Sequence, residues 1–148
     1  MVGLYERTKL YENTNGMPAH PLRRNDILYP ELSYAINGTL FKVFEDLGYG
    51  YQERIYQRAA AVAFTEAGIK FSEQVHTPLV YEGQTIGRYF LDFLIEDKIV
   101  LEMKQGNYFK KQNMDQIIGY LKANNLKLGL IANFTRNGVQ VRRILNER

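Results

Sequence analysis

Apolar residues recur at helical spacing from Pro30 onward: Leu32, Ala35, Ile36, Leu40, Val43, Phe44 and Leu47 form one stripe. That stripe predicts a helix over 30–47. Pro30 suits its first turn, where a missing N–H is not needed, and Gly48-Tyr49-Gly50 ends it. A second helix is expected over 51–67, with Gly68 placed for a left-handed C-terminal cap. The period then shortens to two. Residues 69–77 alternate loosely, Pro78 interrupts, and 79–81 lead into a turn at Glu82-Gly83-Gln84. Residues 88–95 and 99–104 read as two strands joined tightly by Glu96-Asp97-Lys98. A loop over 106–111 precedes a helix over 112–124, whose inner face carries Met114, Ile117, Ile118 and Leu121. Strands over 127–134 and 139–145 close the pattern. The order α-α-β-β-β-β-α-β-β predicts an α/β (α+β) domain, a mixed central sheet flanked by helices.

Residues 1–25 do not share this patterning. They hold Asn13, Asn15, Gly16, Pro18 and Pro21, and are expected to form an irregular extension unless they dock on the domain over 26–148.

Composition narrows the chemistry. The chain has 148 residues, enough for one domain with a real core. It has no cysteine, which excludes disulfides, thiolate zinc sites and thiol nucleophiles, and suits a cytoplasmic setting. A net charge of +3 permits a polyanionic partner without demanding one. No apolar run approaches a membrane span and the N-terminus lacks a secretory h-region, so no membrane partner is expected. No P-loop, dinucleotide fingerprint or serine–histidine–acid set is evident. His20 and His76 are the two histidines, and both read as surface or structural residues.

Asp92 stands out. It lies in Tyr89-Phe90-Leu91-Asp92-Phe93-Leu94-Ile95, a run apolar at both parities and therefore expected to be covered on both faces. A carboxylate there is costly without a cation or hydrogen-bond donors, and an ion pair or backbone cap would serve as well as a metal. Glu102 and Lys104 share one face of the next strand, as they would in any half-solvated strand. If the register pairs Asp92 with Glu102, their Cβ atoms lie roughly 5 Å apart. Two carboxylates that close repel unless a cation separates them, and a hard divalent ion would do so. Lys104 would then offset charge, orient a water or stabilise a phosphoryl transition state. Glu53, in the first turn of the second helix, is either a third acidic group or a residue favoured by the helix dipole. Gln116 and Tyr120, four apart on the last helix, point the same way. Tyr108-Phe109-Lys110-Lys111 mixes aromatics with cations and would grip a strand or simply be a solvated loop. Arg136, Arg142 and Arg143 are candidates for phosphate contacts or for an exposed basic face.

These residues spell a resemblance. Gly50-Tyr51-Gln52-Glu53-Arg54-Ile55-Tyr56 resembles the pattern that names the GxxExxY family, a branch of the PD-(D/E)xK nuclease superfamily. Asp92 followed, after nine residues, by Glu102-x-Lys104 resembles the superfamily signature, with Leu91 where the name has proline. Gln116-x-x-x-Tyr120 resembles the Q-x-x-x-Y element of its recombination-exonuclease-like members. The likeness runs from about Ile27 to Leu145. It implies a restriction-endonuclease-like core and metal-dependent hydrolysis of DNA, less readily RNA. It implies Mg²⁺ or Mn²⁺ held by Asp92 and Glu102 with the Met103 carbonyl as a further ligand, and Glu53 either reaching the metal through water or holding a second ion. Lys104 would serve the attacking water. Gln116, Tyr120, Tyr56, Lys110 and Lys111 would support the site or contact nucleic acid. A homodimer is compatible with it. The competing expectation is a non-catalytic nucleic-acid- or protein-binding module on the same fold.

Overall fold

The first helix, α1, occupies Pro30–Leu47, the span its stripe predicts, in a computed structural model that describes residues 5–7 and 28–146. Its buried positions include Ile36, Leu40, Phe41 and Val43. The second, α2 (Glu53–Glu66), is shorter than the pattern suggests because Tyr51 and Gln52 stay extended ahead of it. Ala67 caps it and Gly68 follows at φ 72°, the left-handed position expected of that glycine.

A three-residue strand, β1 (Tyr5–Arg7), comes from the N-terminal extension. The other strands are β2 (Phe71–Tyr81), β3 (Gln84–Ile95), β4 (Ile99–Gln105), β5 (Leu128–Thr135) and β6 (Gly138–Leu145), with α3 (Lys111–Ala123) between β4 and β5. They form one mixed sheet in the order β1-β6-β5-β4-β3-β2. The pair β4–β5 is parallel and its neighbours are antiparallel, so α3 is the crossover a parallel pair requires. Part of the extension therefore docks, as an edge strand on β6, rather than staying irregular. Residues 8–27, including His20, lie outside the described residues.

Pro78 does not interrupt the sheet. Residues expected as two short strands are one, and the register runs through Pro78↔Arg88. The reason is position: β2 is an edge strand, where a residue with no N–H leaves no neighbour unpaired. Tight turns at Glu82-Gly83 and Glu96-Asp97 join β2 to β3 and β3 to β4, with positive φ at all four residues.

The sheet separates two apolar layers. One holds α1 and α2 residues with Phe93, Ile95, Ile99, Leu101, Met103, Leu130 and Phe134. The other holds Met114, Ile117, Tyr120 and Leu121 of α3 with Leu91, Val100, Ile131 and Ile144. Strand β3 changes layers along its length: Tyr89 and Leu91 pack with α3, whereas Phe93 and Ile95 pack with α1 and α2. Residues two apart on a regular strand share a face, so the exchange requires an irregularity at Asp92. Its partner β2 does the same, with Val75 in one layer and Phe71 in the other, around Gln74 at φ 51°. This corrects the expectation drawn from the apolar run around Asp92. Double parity there comes partly from a change of face, and Phe90 remains half exposed.

Gly129 on β5 lets α3 approach the sheet closely. A Cβ there would collide with the Ile117 side chain and lie 3.2 Å from Val100 Cγ2. Gly129→Ala is expected to cost about 1–3 kcal/mol by overpacking, outweighing any gain in strand propensity. A urea titration would read this as a lower midpoint at unchanged slope.

Candidate active site

The ladder between β3 and β4 pairs Ile95↔Ile99, Leu94↔Val100 and Phe93↔Leu101, then stops. One step further the same register would set Asp92 opposite Glu102. There the side chains replace the backbone. The Asp92 N–H donates to Glu102 Oε1 at 3.1 Å, and the Met103 N–H donates to Asp92 Oδ2 at 2.7 Å. The strands part without orphaning these donors, and both carboxyl groups are drawn into the gap.

Helix α2 closes one side of the gap. Gln57 Nε2 donates to Asp92 Oδ1 at 3.1 Å. Glu53, one turn earlier, reaches Lys104, and its charge also acts on Asp92. Lys104 Nζ lies 3.8 Å from Glu53 Oε1 and 3.6 Å from Glu102 Oε2, both loose contacts. Lys104 is thus set between two carboxylates from distant parts of the chain, as the sequence reading requires if Glu53 converges here. The sequence reading does not include Gln57. Its position four residues after Glu53 on the same helix face is the signal that could have found it.

Helix α3 braces the other side. Gln116 Nε2 donates to the Phe90 carbonyl at 2.6 Å, two residues before Asp92. Tyr120 is buried in the α3 layer, and burial raises its hydroxyl pKa. Tyr56 is buried as well. Its hydroxyl donates to the Gly48 carbonyl at 2.6 Å and accepts the Tyr51 N–H at 3.4 Å, so it ties down the loop before α2 and presents no free group to a ligand. Lys110 is exposed at the start of α3, whereas Lys111 is paired with Asp115 at 2.6 Å. Arg143 is not on an exposed basic face. It is buried, donating to Ser33 Oγ at 3.2 Å and to the Leu28 carbonyl at 3.1 Å. His76 is exposed and contacts Arg88.

Burial and the neighbouring Asp92 carboxylate push Glu102 up to about 8, against the opposing pull of Lys104. Burial also raises Asp92, although the Met103 N–H, Glu102 and Lys104 counteract it. Glu102 starts from 4.5 when unfolded, so between 4.5 and about 8 the folded protein binds more protons than the unfolded one. Its contribution to stability is whole below the lower value and is lost as pH rises through the upper one. In chelator, the melting temperature is therefore expected to fall across that window and to flatten above it. A flat profile from pH 5 to 8 would show that Glu102 titrates normally.

Among the described residues, no three His, Cys, Asp or Glu side chains cluster as a metal cage. A hard divalent ion does not need one. Mg²⁺ is commonly held by one or two carboxylates, with carbonyls and waters completing the shell. Two oxygen donors held together against their mutual repulsion fit that requirement, and the absence of cysteine excludes a thiolate site.

The PD-(D/E)XK nuclease superfamily model matches residues 30–144, which include every residue of the gap. No curated protein matches the sequence. Among solved structures, the crystal structure of SSO0001 is similar with a TM-score of 0.50 and 18% identity over 64% of this chain. This chain spans 50% of that protein's length, and the likeness speaks to fold alone.

Proposed function

This chain belongs to the PD-(D/E)XK nuclease superfamily, and from that premise we propose that it hydrolyses phosphodiester bonds of DNA with Mg²⁺ or Mn²⁺. Its mixed sheet with flanking helices has the restriction-endonuclease-like arrangement. The observation that carries the proposal is the parted β3–β4 ladder, with Asp92 and Glu102 turned into the gap beside Lys104. A buried pair of like charges is expensive, and ion coordination gives it a purpose that a purely binding module would not. Within the superfamily, the Gly50–Tyr56 pattern supports placement in the GxxExxY branch.

Asp92 and Glu102 would hold the ion, with the Met103 carbonyl as a neighbouring oxygen and Glu53 reaching it through water. When bound, the ion supplies a more acidic water and shields the charge of the phosphate. Gln57 fixes the Asp92 carboxylate through one oxygen and the Met103 N–H fixes the other. Lys104 orients the attacking water and stabilises charge as it develops on the phosphoryl oxygens. Glu53 and Glu102 keep the Lys104 ammonium pointed into the gap. Gln116 holds β3 at Phe90, so the segment leading to Asp92 does not drift.

Incubation with plasmid DNA in Mg²⁺ or Mn²⁺ should give cleavage that chelator abolishes and that Asp92→Ala lacks. Calorimetry should show Mn²⁺ binding to the wild type and none to that variant. Chelator-resistant cleavage, or full activity in Asp92→Ala, would overturn the proposal.

A further inference from the structure

Three tyrosines stand out of the surface around the gap. Tyr49 is 41% exposed, Tyr51 44% and Tyr108 83%. Tyr51 comes two residues before Glu53, and Tyr108 four residues after Lys104, so the site's own elements lead directly into them. Scattered exposed aromatics need no explanation, but these sit on backbone that is firmly held.

On the first loop, buried Tyr56 bonds both the Gly48 carbonyl and the Tyr51 N–H, and the Tyr51 ring meets it edge-on at 5.9 Å. The Arg136 guanidinium lies 6.0 Å from the Tyr49 ring centroid. On the second loop, Asn133 Nδ2 donates to the Gly106 carbonyl at 3.3 Å and the Tyr108 carbonyl at 2.7 Å. The next residue, Phe109, is anchored under the Arg142 guanidinium at 4.4 Å. Each loop is fixed beside the very residue whose ring it leaves in solvent. Rings presented in this way are ready to stack on a planar ligand.

We infer that the DNA strand is unpaired where it crosses this site, its bases stacking on Tyr51, Tyr49 and Tyr108. This rests on the nuclease proposal above and names its substrate class. A base offers its face to a tyrosine only when neighbouring bases leave that face uncovered, as in a single strand. Within a continuous duplex both faces are covered by the adjacent pairs. Arg54 and Lys110 are exposed within three residues of Tyr51 and Tyr108, exposed Arg136 lies against Tyr49, and all three would meet the phosphates between stacked bases. The outer part of the β2–β3 ribbon exposes Val80, Tyr81 and Ile86 too, but Glu82 and Arg88 cancel there, leaving no excess of cations for a phosphate chain.

The test compares Mn²⁺-dependent cutting of a circular single-stranded DNA with its relaxed circular duplex, so that ends play no part. Anisotropy of a labelled oligothymidylate is measured in parallel, in chelator. The single-stranded circle should be cut at least about tenfold faster. Tyr51→Ala and Tyr108→Ala should each weaken oligonucleotide binding roughly tenfold. Tyr51→Phe should retain binding, because stacking needs the ring and not the hydroxyl, and Tyr81→Ala should bind as the wild type does. Should Tyr51→Ala fold poorly, Tyr108→Ala, which removes a ring in solvent, decides. Equal or faster cutting of the duplex, or unchanged binding in both alanine variants, would overturn the inference while leaving the nuclease proposal standing. No cutting of either circle would sink that proposal, and the anisotropy series would still decide whether the tyrosines bind an unpaired strand.

Discussion

Replacing Glu102 by glutamine is expected to abolish cleavage while making the metal-free protein more stable. Glutamine keeps an oxygen to accept the Asp92 N–H, so the parted ladder retains that bond. It removes the charge that burial and Asp92 oppose, the same opposition that pushes Glu102 up to about 8. At pH 8 the expected gain is on the order of 1–3 kcal/mol, read as a rise of roughly 3–10 °C in melting temperature. The fall in stability between pH 5 and 8 should flatten in the same variant. Metal binding should weaken severely, because a neutral amide is a poor substitute for a carboxylate at a divalent ion. A destabilised Glu102→Gln protein that still cleaves would mean that the carboxylate serves the fold rather than the reaction.

Lys104→Ala is expected to separate binding from chemistry. Its ammonium lies within 4 Å of two carboxylates and opposes an incoming cation, so removing it should leave Mn²⁺ affinity unchanged or improved. The chemical step loses a group aimed at the water and at the developing phosphoryl charge. Losing one such electrostatic group commonly costs about 100-fold or more in rate. Single-turnover cleavage together with calorimetry on the same variant checks both halves. Full activity would remove Lys104 from the mechanism, and lost Mn²⁺ binding would make it part of the site's architecture.

Patterning alone reaches far into this fold. The α1 stripe gives that helix its limits, and the short connections at Glu82-Gly83 and Glu96-Asp97 give the hairpins. Both signals are local, and they arise from turn chemistry or from one buried face. Pro78 misleads because its cost depends on whether the strand has one neighbour or two, which no local window reveals. The N-terminal strand is missed for a related reason: Tyr5–Arg7 is ordered by β6, far away in sequence. At the site, Asp92 and Glu102 are legible because acidic residues in apolar strands are conspicuous. The meeting of Glu53 with Lys104 follows from tertiary packing, and spacing alone only suggests it. Gln57 escapes notice because an uncharged amide on a helix looks like ordinary decoration until its partner is known. Arg143 shows the opposite error, since a cation beside other cations reads as surface until Ser33 and Leu28 are found around it.

The parted ladder between β3 and β4 also constrains how this protein can change over generations. Asp92 and Glu102 hold the backbone of the sheet with the same oxygens that would take an ion. Mutational drift at either position disturbs architecture and chemistry together unless the replacement keeps an oxygen for the backbone N–H, as Glu102→Gln does. Lys104 carries no such double duty, since its contacts are loose ion pairs to side chains. A descendant that abandoned catalysis but kept its shape would therefore be expected to let the lysine drift and to keep an oxygen acceptor at both positions, with glutamine favoured over the charged acid at 102.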